Sequence, residues 1–327
     1  MGKRKNKKRR WVKWLLALGV LLFLWSMIFG FSSRQPGYTF NKNHNAVWIG
    51  HEWVGEEKTE AEIKNLVDTL SDNAIDLVFV HTGPFESDGS VDRNLYLYAV
   101  DFLEKAQKYN SEIKYQAWLG QIRGKIDLSD VSVRENVAQE AVLMTQVIGF
   151  DGVHFDIEPV WDEDLDFIET LKLSREAMPK EKNISVALAE FIPKSLVWLT
   201  EELELFENFN SEVNYENVAQ YADQLVVMTY DTGINKDWLY RWLVKEQTIW
   251  LTRLLEGKEV FVGIPAYEEV KEGFDPEIEN VSNGMKGIVS GLNNSRSKLE
   301  NFAGAAIYSY WEIEEDEWED YNNIWIK

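Results

Sequence analysis

The sequence of 327 residues has no cysteine and only four histidines. The absence of cysteine excludes a disulfide scaffold, a thiolate metal site and a cysteine nucleophile. Any chemistry at a site must therefore use oxygen or imidazole groups. Hydrophobic residues make up 45% of the chain, which is enough apolar material for a sizeable core and excludes a wholly disordered protein.

Basic residues are scarce outside the amino terminus. Eight of the 34 lysines and arginines lie in the first 13 residues, and the rest of the chain carries 26 basic against 55 acidic residues, a net charge of −29. A surface this acidic repels the phosphate backbone of nucleic acids. We therefore expect no nucleic-acid partner and predict a partner that is neutral or cationic.

A long apolar run follows the basic cluster of residues 1–13. The run, Trp14 to Phe31, contains one hydroxyl, that of Ser26, and no charge. Its 18 residues are about the number needed to cross the hydrocarbon core of a bilayer. Because basic residues flank it on the amino-terminal side, we expect a single-pass transmembrane anchor at 14–31 with the amino terminus in the cytoplasm. A cleaved signal peptide is the alternative, although no small-residue cleavage site follows the run.

Residues 32–45 lack apolar periodicity and are predicted to form a linker between the anchor and a domain outside the membrane, residues 46–327. Short β-branched and aromatic runs recur eight times in this domain, separated by amphipathic stretches of helical period. The predicted strands are Ala46–Ile49, Ile75–His81, Ile113–Trp118, Gly152–Glu158, Ile184–Ala189, Gln224–Tyr230, Glu259–Ile264 and Ala305–Tyr310.

Eight strand–helix units predict an α/β fold of the (β/α)₈ TIM-barrel type. A doubly wound open sheet is the alternative, but it usually has fewer strands, and no glycine-rich phosphate loop follows the first predicted strand. In a barrel of this type, functional residues collect at the carboxyl ends of the strands. The residues that close each run are therefore the first candidates for a site.

The fourth predicted strand, Gly152–Glu158, alternates strictly between polar and apolar side chains. A period of two places His154, Asp156 and Glu158 on one face of the strand. If the apolar face meets the helices, this polar face points into the barrel, where two carboxylates and an imidazole are costly to bury without partners or a task. The pattern favours an active site, and a buried ion-pair network is the alternative.

Two motifs resemble glycoside hydrolase family 18, the chitinase-like and endo-N-acetylglucosaminidase-like barrels. The family carries Asp-Gly-x-Asp-x-Asp-x-Glu on strand four, and its matching residues here are Asp151, Gly152, Asp156 and Glu158. His154 stands where the family has the first Asp of its Asp-x-Asp-x-Glu core. The family's Met-x-Tyr-Asp signature at the end of strand six is similar to Met-Thr-Tyr-Asp at 228–231. The chain is thereby identified as a remote member of this family.

The sequence departs from the family pattern on two further strands. Gln116–Gly120 replaces the Ser-x-Gly-Gly pattern that is usual on strand three. On strand eight, Tyr308 occupies the position where the family usually has tryptophan, and Trp311 follows three residues later. Either aromatic residue would offer a platform to the apolar face of a bound sugar, and the sequence does not choose between them.

The resemblance implies a retaining glycosidase that cleaves β-linked N-acetylglucosamine glycans, with the substrate's own 2-acetamido group as the nucleophile. Glu158 is then the general acid and base, Asp156 orients and stabilises the acetamide, and Tyr230 donates its hydroxyl to the acetamide oxygen. The expected partner is a poly- or oligosaccharide containing N-acetylglucosamine, and this mechanism requires neither a cofactor nor a metal. The resemblance also places Asp231 and Met228 in the same substrate subsite. The alternative for these strand-six residues is an ordinary strand whose tyrosine fills the barrel interior.

His154 is expected to support Asp156 by a hydrogen bond in place of the missing aspartate, and a protonated imidazole there would keep Asp156 ionised. The same residue opens a rival hypothesis. His51 follows predicted strand one and His81 ends predicted strand two. With His154, Asp156 and Glu158 they would form a metal site at the barrel mouth. No His-x-His pair or His-Glu-x-x-His helix supports this hypothesis.

Three classes of function follow from the sequence. The first is a membrane-anchored glycosidase, favoured by the presence of Asp156, Glu158 and Tyr230. The second is a catalytically silent sugar-binding barrel, suggested by the histidine at 154 and the altered third strand. The third is a metal-dependent hydrolase or deacetylase.

Overall fold

Eight parallel strands close into a barrel in the order in which they occur along the chain. The computed structural model describes residues 35–192, 210–270 and 273–327. The strands are β1 (Asn45–Ile49), β2 (Ile75–His81), β3 (Lys114–Ile122), β4 (Gly152–Glu158), β5 (Asn183–Leu188), β6 (Gln224–Met228), β7 (Glu259–Pro265) and β8 (Phe302–Tyr308). The predicted TIM barrel is confirmed, and each strand overlaps its predicted range.

Helices follow the strands and form the outer layer of the barrel. In the described part of the chain the α-helices are α1 (Glu52–Gly55), α2 (Glu60–Asp72), α3 (Ala99–Tyr109), α4 (Val131–Val142), α5 (Leu165–Ala177), α6 (Glu212–Ala219), α7 (Asp237–Leu254), α8 (Val281–Leu292) and α9 (Glu315–Tyr321). Local capping sets several of their bounds. Helix α4, for example, begins at Val131 because the Asp130 carboxylate accepts a hydrogen bond from the backbone N–H of Ser132.

Apolar side chains form two separate layers around the strands. The larger layer lies between strands and helices and includes Val153, Phe155 and Ile157 from β4. The smaller layer fills the barrel interior, and its largest members are Trp48, Phe79, Trp118 and Phe261. Because successive side chains of a strand point to opposite faces, six of the strands contribute to both layers, whereas β4 and β5 contribute apolar residues to the outer layer alone. The interior is therefore a packed aromatic core, with the site above it.

The barrel closes where β1 pairs with β8, at Ala46 with Ala306 and at Val47 with Ile307. Gly304 permits this closure, because a Cβ atom built there would lie 1.7 Å from the backbone oxygen of His44. The described part of the predicted linker, residues 35–44, lies against the base of the barrel. There the Lys42 ammonium donates hydrogen bonds to the carbonyl groups that precede and begin β8.

The predicted membrane anchor at residues 14–31 lies outside the described residues. Within the described ranges, none of the helices combines the length and the apolar character that a bilayer-spanning segment needs. The anchor therefore stays a prediction from the sequence.

Candidate active site

Strand β4 presents its polar side chains to the barrel interior, as the alternation predicted. Its apolar residues pack in the outer layer, whereas the ring of His154 stacks on Phe79 of the interior layer. Along the register with β3, Trp118 lies beside His154, Gly120 beside Asp156, and Ile122 beside Glu158. The strand thus delivers three polar groups at increasing height, from the barrel floor to its mouth.

Asp156 is held by a tryptophan on the neighbouring strand. The indole Nε1 of Trp118 donates a hydrogen bond to Asp156 Oδ2 over 2.9 Å. The other carboxylate oxygen, Oδ1, is buried and has no hydrogen-bond partner among the described residues. Burial raises the pKa of Asp156 to about 6, and the Trp118 hydrogen bond acts in the opposite direction. At neutral pH the group is therefore mainly a carboxylate with one acceptor oxygen to offer a ligand.

Glu158 ends β4 and is exposed at the barrel mouth. The surrounding protein nevertheless desolvates its carboxyl group, which with the negative charges of Asp156, Asp231 and Glu190 raises its pKa to about 8. Arg123, whose backbone N–H donates to the Glu158 carbonyl oxygen, directs its guanidinium to Asp164 instead. The pair on β4 thus divides into a protonated Glu158 and an ionised Asp156 at pH 7, as acid catalysis requires.

The Met-Thr-Tyr-Asp segment lies at and just beyond the end of β6. Burial, with the nearby negative charges, holds the pKa of Tyr230 well above its ordinary value, so its hydroxyl remains a neutral donor. Asp231 adopts a left-handed backbone conformation with φ of 58° and accepts a hydrogen bond from the Tyr267 hydroxyl at 3.0 Å. Met228 is buried at the end of the strand. Tyr230 and Asp231 therefore lie at the same mouth as the β4 carboxylates.

The two aromatic candidates on and after β8 occupy different levels of the site. Tyr308 is half-buried, stacks on Tyr230 with 5.2 Å between ring centroids, and contacts the edge of Trp118. Trp311 packs edge-on against Tyr308 and remains 43% exposed. Tyr308 thus belongs to the floor of the site, whereas Trp311 has free surface at its rim.

The expectation of a hydrogen bond between His154 and Asp156 is wrong. The imidazole Nε2 accepts from the Trp48 indole at 3.1 Å, and Nδ1 lies 2.9 Å from the Ser185 hydroxyl. Because an indole N–H can only donate, Nε2 carries no proton and the imidazole is neutral. Complete burial among aromatic rings agrees with this, since it lowers the pKa of His154 to about 3. His154 therefore supports the floor of the site and neither charges Asp156 nor lines the opening.

The histidines of the metal hypothesis do not converge. His51 and His81 are neighbours with 5.9 Å between ring centroids, but His81 packs on Trp118 and His154 lies in the barrel interior. Among the described residues, no group of three or more histidine and carboxylate side chains is arranged to hold a metal ion.

The structure adds residues that the motifs did not indicate. Trp118 and Tyr267 position the carboxylates of Asp156 and Asp231, respectively. Glu190 and Glu279 are buried carboxyl groups near Asp231, and burial raises their pKa values to about 8 and about 7. The sequence pattern could have indicated Trp118, because this residue lies on the inward face of β3. It could not have indicated Glu279, because that residue approaches the site from the long connection between β7 and α8.

Comparison with known proteins is informative only at the level of structure. Neither a scan against protein-family models nor a search of curated proteins gives a match for the sequence. Among solved structures, the spore cortex-lytic enzyme SleL of Bacillus cereus matches with a TM-score of 0.60 at 12% identity over 86% of this chain and 74% of that one.

Chitinases match over similar lengths. A chitinase from Bacteroides thetaiotaomicron gives a TM-score of 0.57 at 15% identity, covering 86% of this chain and 94% of the other. A family 18 chitinase from Cycas revoluta in complex with (GlcNAc)3 gives 0.56 at 12% identity, covering 86% and 99%. These likenesses establish the fold, and they confirm that the resemblance noticed in two motifs extends to the architecture of the barrel.

Proposed function

We propose that this chain is a retaining glycoside hydrolase that cleaves β-linked N-acetylglucosamine glycans with the help of the substrate's own acetamido group. The observation that carries the proposal is the difference in protonation and hydrogen bonding between two carboxyl groups of β4. An exposed carboxyl group, Glu158, has a raised pKa beside a carboxylate, Asp156, that has one unpartnered oxygen. A fold shared with glycosidases supports the reaction class but does not by itself assign it.

In this mechanism Glu158 donates its proton to the glycosidic oxygen as the bond to the anomeric carbon breaks. The acetamide oxygen attacks the same carbon, and an oxazolinium ion forms. Asp156 Oδ1 accepts a hydrogen bond from the acetamide N–H and stabilises its developing positive charge, and Tyr230 donates its hydroxyl to the acetamide oxygen. The Glu158 carboxylate then deprotonates a water molecule, which attacks the anomeric carbon and opens the oxazolinium ring to restore the acetamido group. Two displacements at the same carbon leave its configuration retained.

Hydrolysis by the full-length protein tests the proposal. N-acetylglucosamine oligomers, peptidoglycan and N-glycans would be compared as substrates, with product anomers followed by NMR. Replacing Glu158 by Gln removes the transferable proton, and we expect at least about a hundredfold loss of rate. The matched control is Glu256→Gln, an exposed glutamate beyond the end of α7. Equal rates for wild-type protein and Glu158→Gln would refute the role of this residue.

A catalytically silent sugar-binding barrel is the second candidate. The replacement of the family's first aspartate by a neutral, buried His154 favours it, because the carboxyl set on β4 is shorter by one group than the family pattern. Tight binding of N-acetylglucosamine oligomers without release of reducing ends would identify this function. The metal-dependent hydrolase has no convergent ligand set among the described residues.

We also propose that the barrel is anchored outside the cell membrane through the apolar run Trp14–Phe31. The support is the sequence alone: 18 residues without charge behind a basic segment. Membrane fractionation of cells that express the full chain tests the anchor. Extraction by detergent but not by high salt or carbonate supports it, and recovery of the whole protein in the medium refutes it.

A further inference from the structure

Trp161 is an exposed tryptophan in the loop that follows the proposed acid. It lies three residues after Glu158, so their Cα atoms are about 10 Å apart at most. Although the guanidinium of Arg123 packs on its ring, 51% of Trp161 remains exposed. An exposed tryptophan beside a site is a strong contact for a ligand when its position is fixed beforehand, because little conformational entropy is then lost on binding.

Arg123 supports one face of the Trp161 ring. The centre of its guanidinium lies 4.5 Å from the ring centroid, in the geometry of a cation–π contact. The same guanidinium forms an ion pair with Asp164 at 2.5 Å, and the two side chains are only 7% and 5% exposed. Asp164 in turn accepts a hydrogen bond from the backbone of Phe167 as the cap of α5. The two side chains that support the tryptophan, those of Arg123 and Asp164, are therefore buried and attached to the start of α5.

The support is also tied to the proposed acid. The backbone N–H of Arg123 donates to the carbonyl oxygen of Glu158 over 2.6 Å. The ring of Trp161 is thus linked to Glu158 both through the loop and through Arg123. This arrangement restricts the movement of the exposed ring relative to the backbone of Glu158.

Trp161 lies on the side of the barrel opposite the aromatic cluster of Tyr308 and Trp311. In a ring of eight strands, β4 lies across from β8, which carries Tyr308 with Trp311 just beyond it. The acetamido sugar of the proposed reaction is placed by Asp156 and Tyr230, and Tyr230 stacks on Tyr308. A glycan that passes Glu158 from this cluster would continue toward the β3–β4 side of the mouth, where Trp161 lies.

We propose that the free face of Trp161 binds a sugar ring on the leaving-group side of the scissile bond. This inference rests on the proposed hydrolase function and specifies its substrate as a glycan that extends to both sides of the cleaved bond. The apolar C–H face of a pyranose packs on an aromatic ring and removes the surface of both from water. The leaving group of the preferred substrate would accordingly be a sugar or an oligosaccharide, not a small aglycone.

Binding measurements separate this inference from catalysis. Isothermal titration calorimetry of the full-length Glu158→Gln protein with N-acetylglucosamine hexamer gives an affinity without turnover. Adding Trp161→Ala should weaken that affinity about tenfold, and Trp161→Phe should recover part of the loss. The matched control is Tyr38→Ala, an aromatic residue of similar exposure, 47%, at the base of the barrel. Thermal unfolding of each variant verifies that the fold is retained.

Equal hexamer affinities with and without the Trp161 ring would overturn the platform, as would an equal loss in Tyr38→Ala. A complete lack of hexamer binding by the Glu158→Gln protein would overturn it too. These outcomes are distinct from failure of the proposed function, which is measured by hydrolysis in the protein with Glu158 intact. If the single variant Trp161→Ala hydrolyses oligomers as fast as the wild-type enzyme at subsaturating substrate, the function stands and the platform is lost.

Discussion

The indole of Trp118 donates to Asp156 Oδ2 across the β3–β4 pair at 2.9 Å. This contact occurs where the sequence led us to expect support from His154. The indole N–H is a fixed donor that cannot lose its proton in water, so the orientation of Asp156 does not depend on pH through its partner. The support also leaves Oδ1 without a partner among the described residues, and in the proposed mechanism this oxygen accepts from the substrate amide.

Replacing Trp118 by Phe should raise the pKa of Asp156 above about 6, because the variant loses a hydrogen bond that stabilises the charged form. If the reaction needs the carboxylate, the acidic limb of the kcat/KM profile moves to higher pH, and the rate at pH 6 falls about tenfold or more. The matched control is Trp48→Phe, which removes an interior indole that donates to His154 and not to Asp156. An unshifted acidic limb in Trp118→Phe would contradict this role.

The pH–rate profile of the wild-type enzyme should be bell-shaped between about pH 6 and about pH 8. The acidic limb reflects ionisation of Asp156, and the alkaline limb reflects loss of the Glu158 proton. Asp231→Asn removes a negative charge that raises the pKa of Glu158, so the alkaline limb should move to lower pH. Asp68→Asn, which changes an exposed side chain of α2, serves as the control. An alkaline limb that stays in place in Asp231→Asn would argue against Glu158 as the acid.

His154 should make the folded state sensitive to acid. Its pKa is lowered to about 3 in the folded protein from an unfolded value near 6.5, so the unfolded chain binds more protons between these values. The stability linked to this residue is therefore fully present above pH 6.5 and decreases by about 1.4 kcal/mol for each pH unit below it.

Guanidinium unfolding of wild-type protein and His154→Gln at pH 7 and pH 5 measures this contribution. The wild-type protein should lose more of its free energy of unfolding on acidification than the variant does. Comparing the two proteins cancels the opposite contributions of buried carboxyl groups such as Glu190, whose raised pKa favours the folded state at low pH. The same pH dependence in both proteins would show that the pKa of His154 is not lowered by folding.

Tyr230→Phe should lower kcat about tenfold to a hundredfold with a small change in KM. The variant keeps the ring that stacks on Tyr308 and loses only the hydroxyl that would hold the acetamide oxygen during attack. Tyr115→Phe removes a buried hydroxyl from the outer layer and provides the control. A rise in KM with unchanged kcat would assign Tyr230 to ground-state binding alone.

Chelation should leave hydrolysis unchanged within about twofold. Among the described residues there is no set of three ligands for a metal, and the proposed chemistry uses protons and the substrate amide. Activity would be compared before and after dialysis against EDTA, with divalent cations then restored. A loss of activity that zinc or another divalent cation reverses would favour the metal-dependent alternative.

The sequence by itself determined the fold and identified β4 as the strand that carries the candidate catalytic carboxyl groups. Eight apolar runs separated by helical periods have few closed solutions other than the barrel, because parallel strands need crossovers. Strict alternation on Gly152–Glu158 placed Asp156 and Glu158 inward, because side chains of a strand point to opposite faces whatever surrounds it. These inferences depend only on local geometry and on the need to bury apolar surface.

The tertiary structure alone decided the partners of those groups and their charges. His154 has the same neighbours in sequence whether it pairs with Asp156 or with Trp48 and Ser185, and only the packing of β1 and β5 around β4 selects the latter. Likewise, the carboxyl groups of Glu158 and Asp231 approach each other from different strands. Desolvation and charge coupling depend on distances between segments far apart in sequence, and periodicity carries no information about those distances.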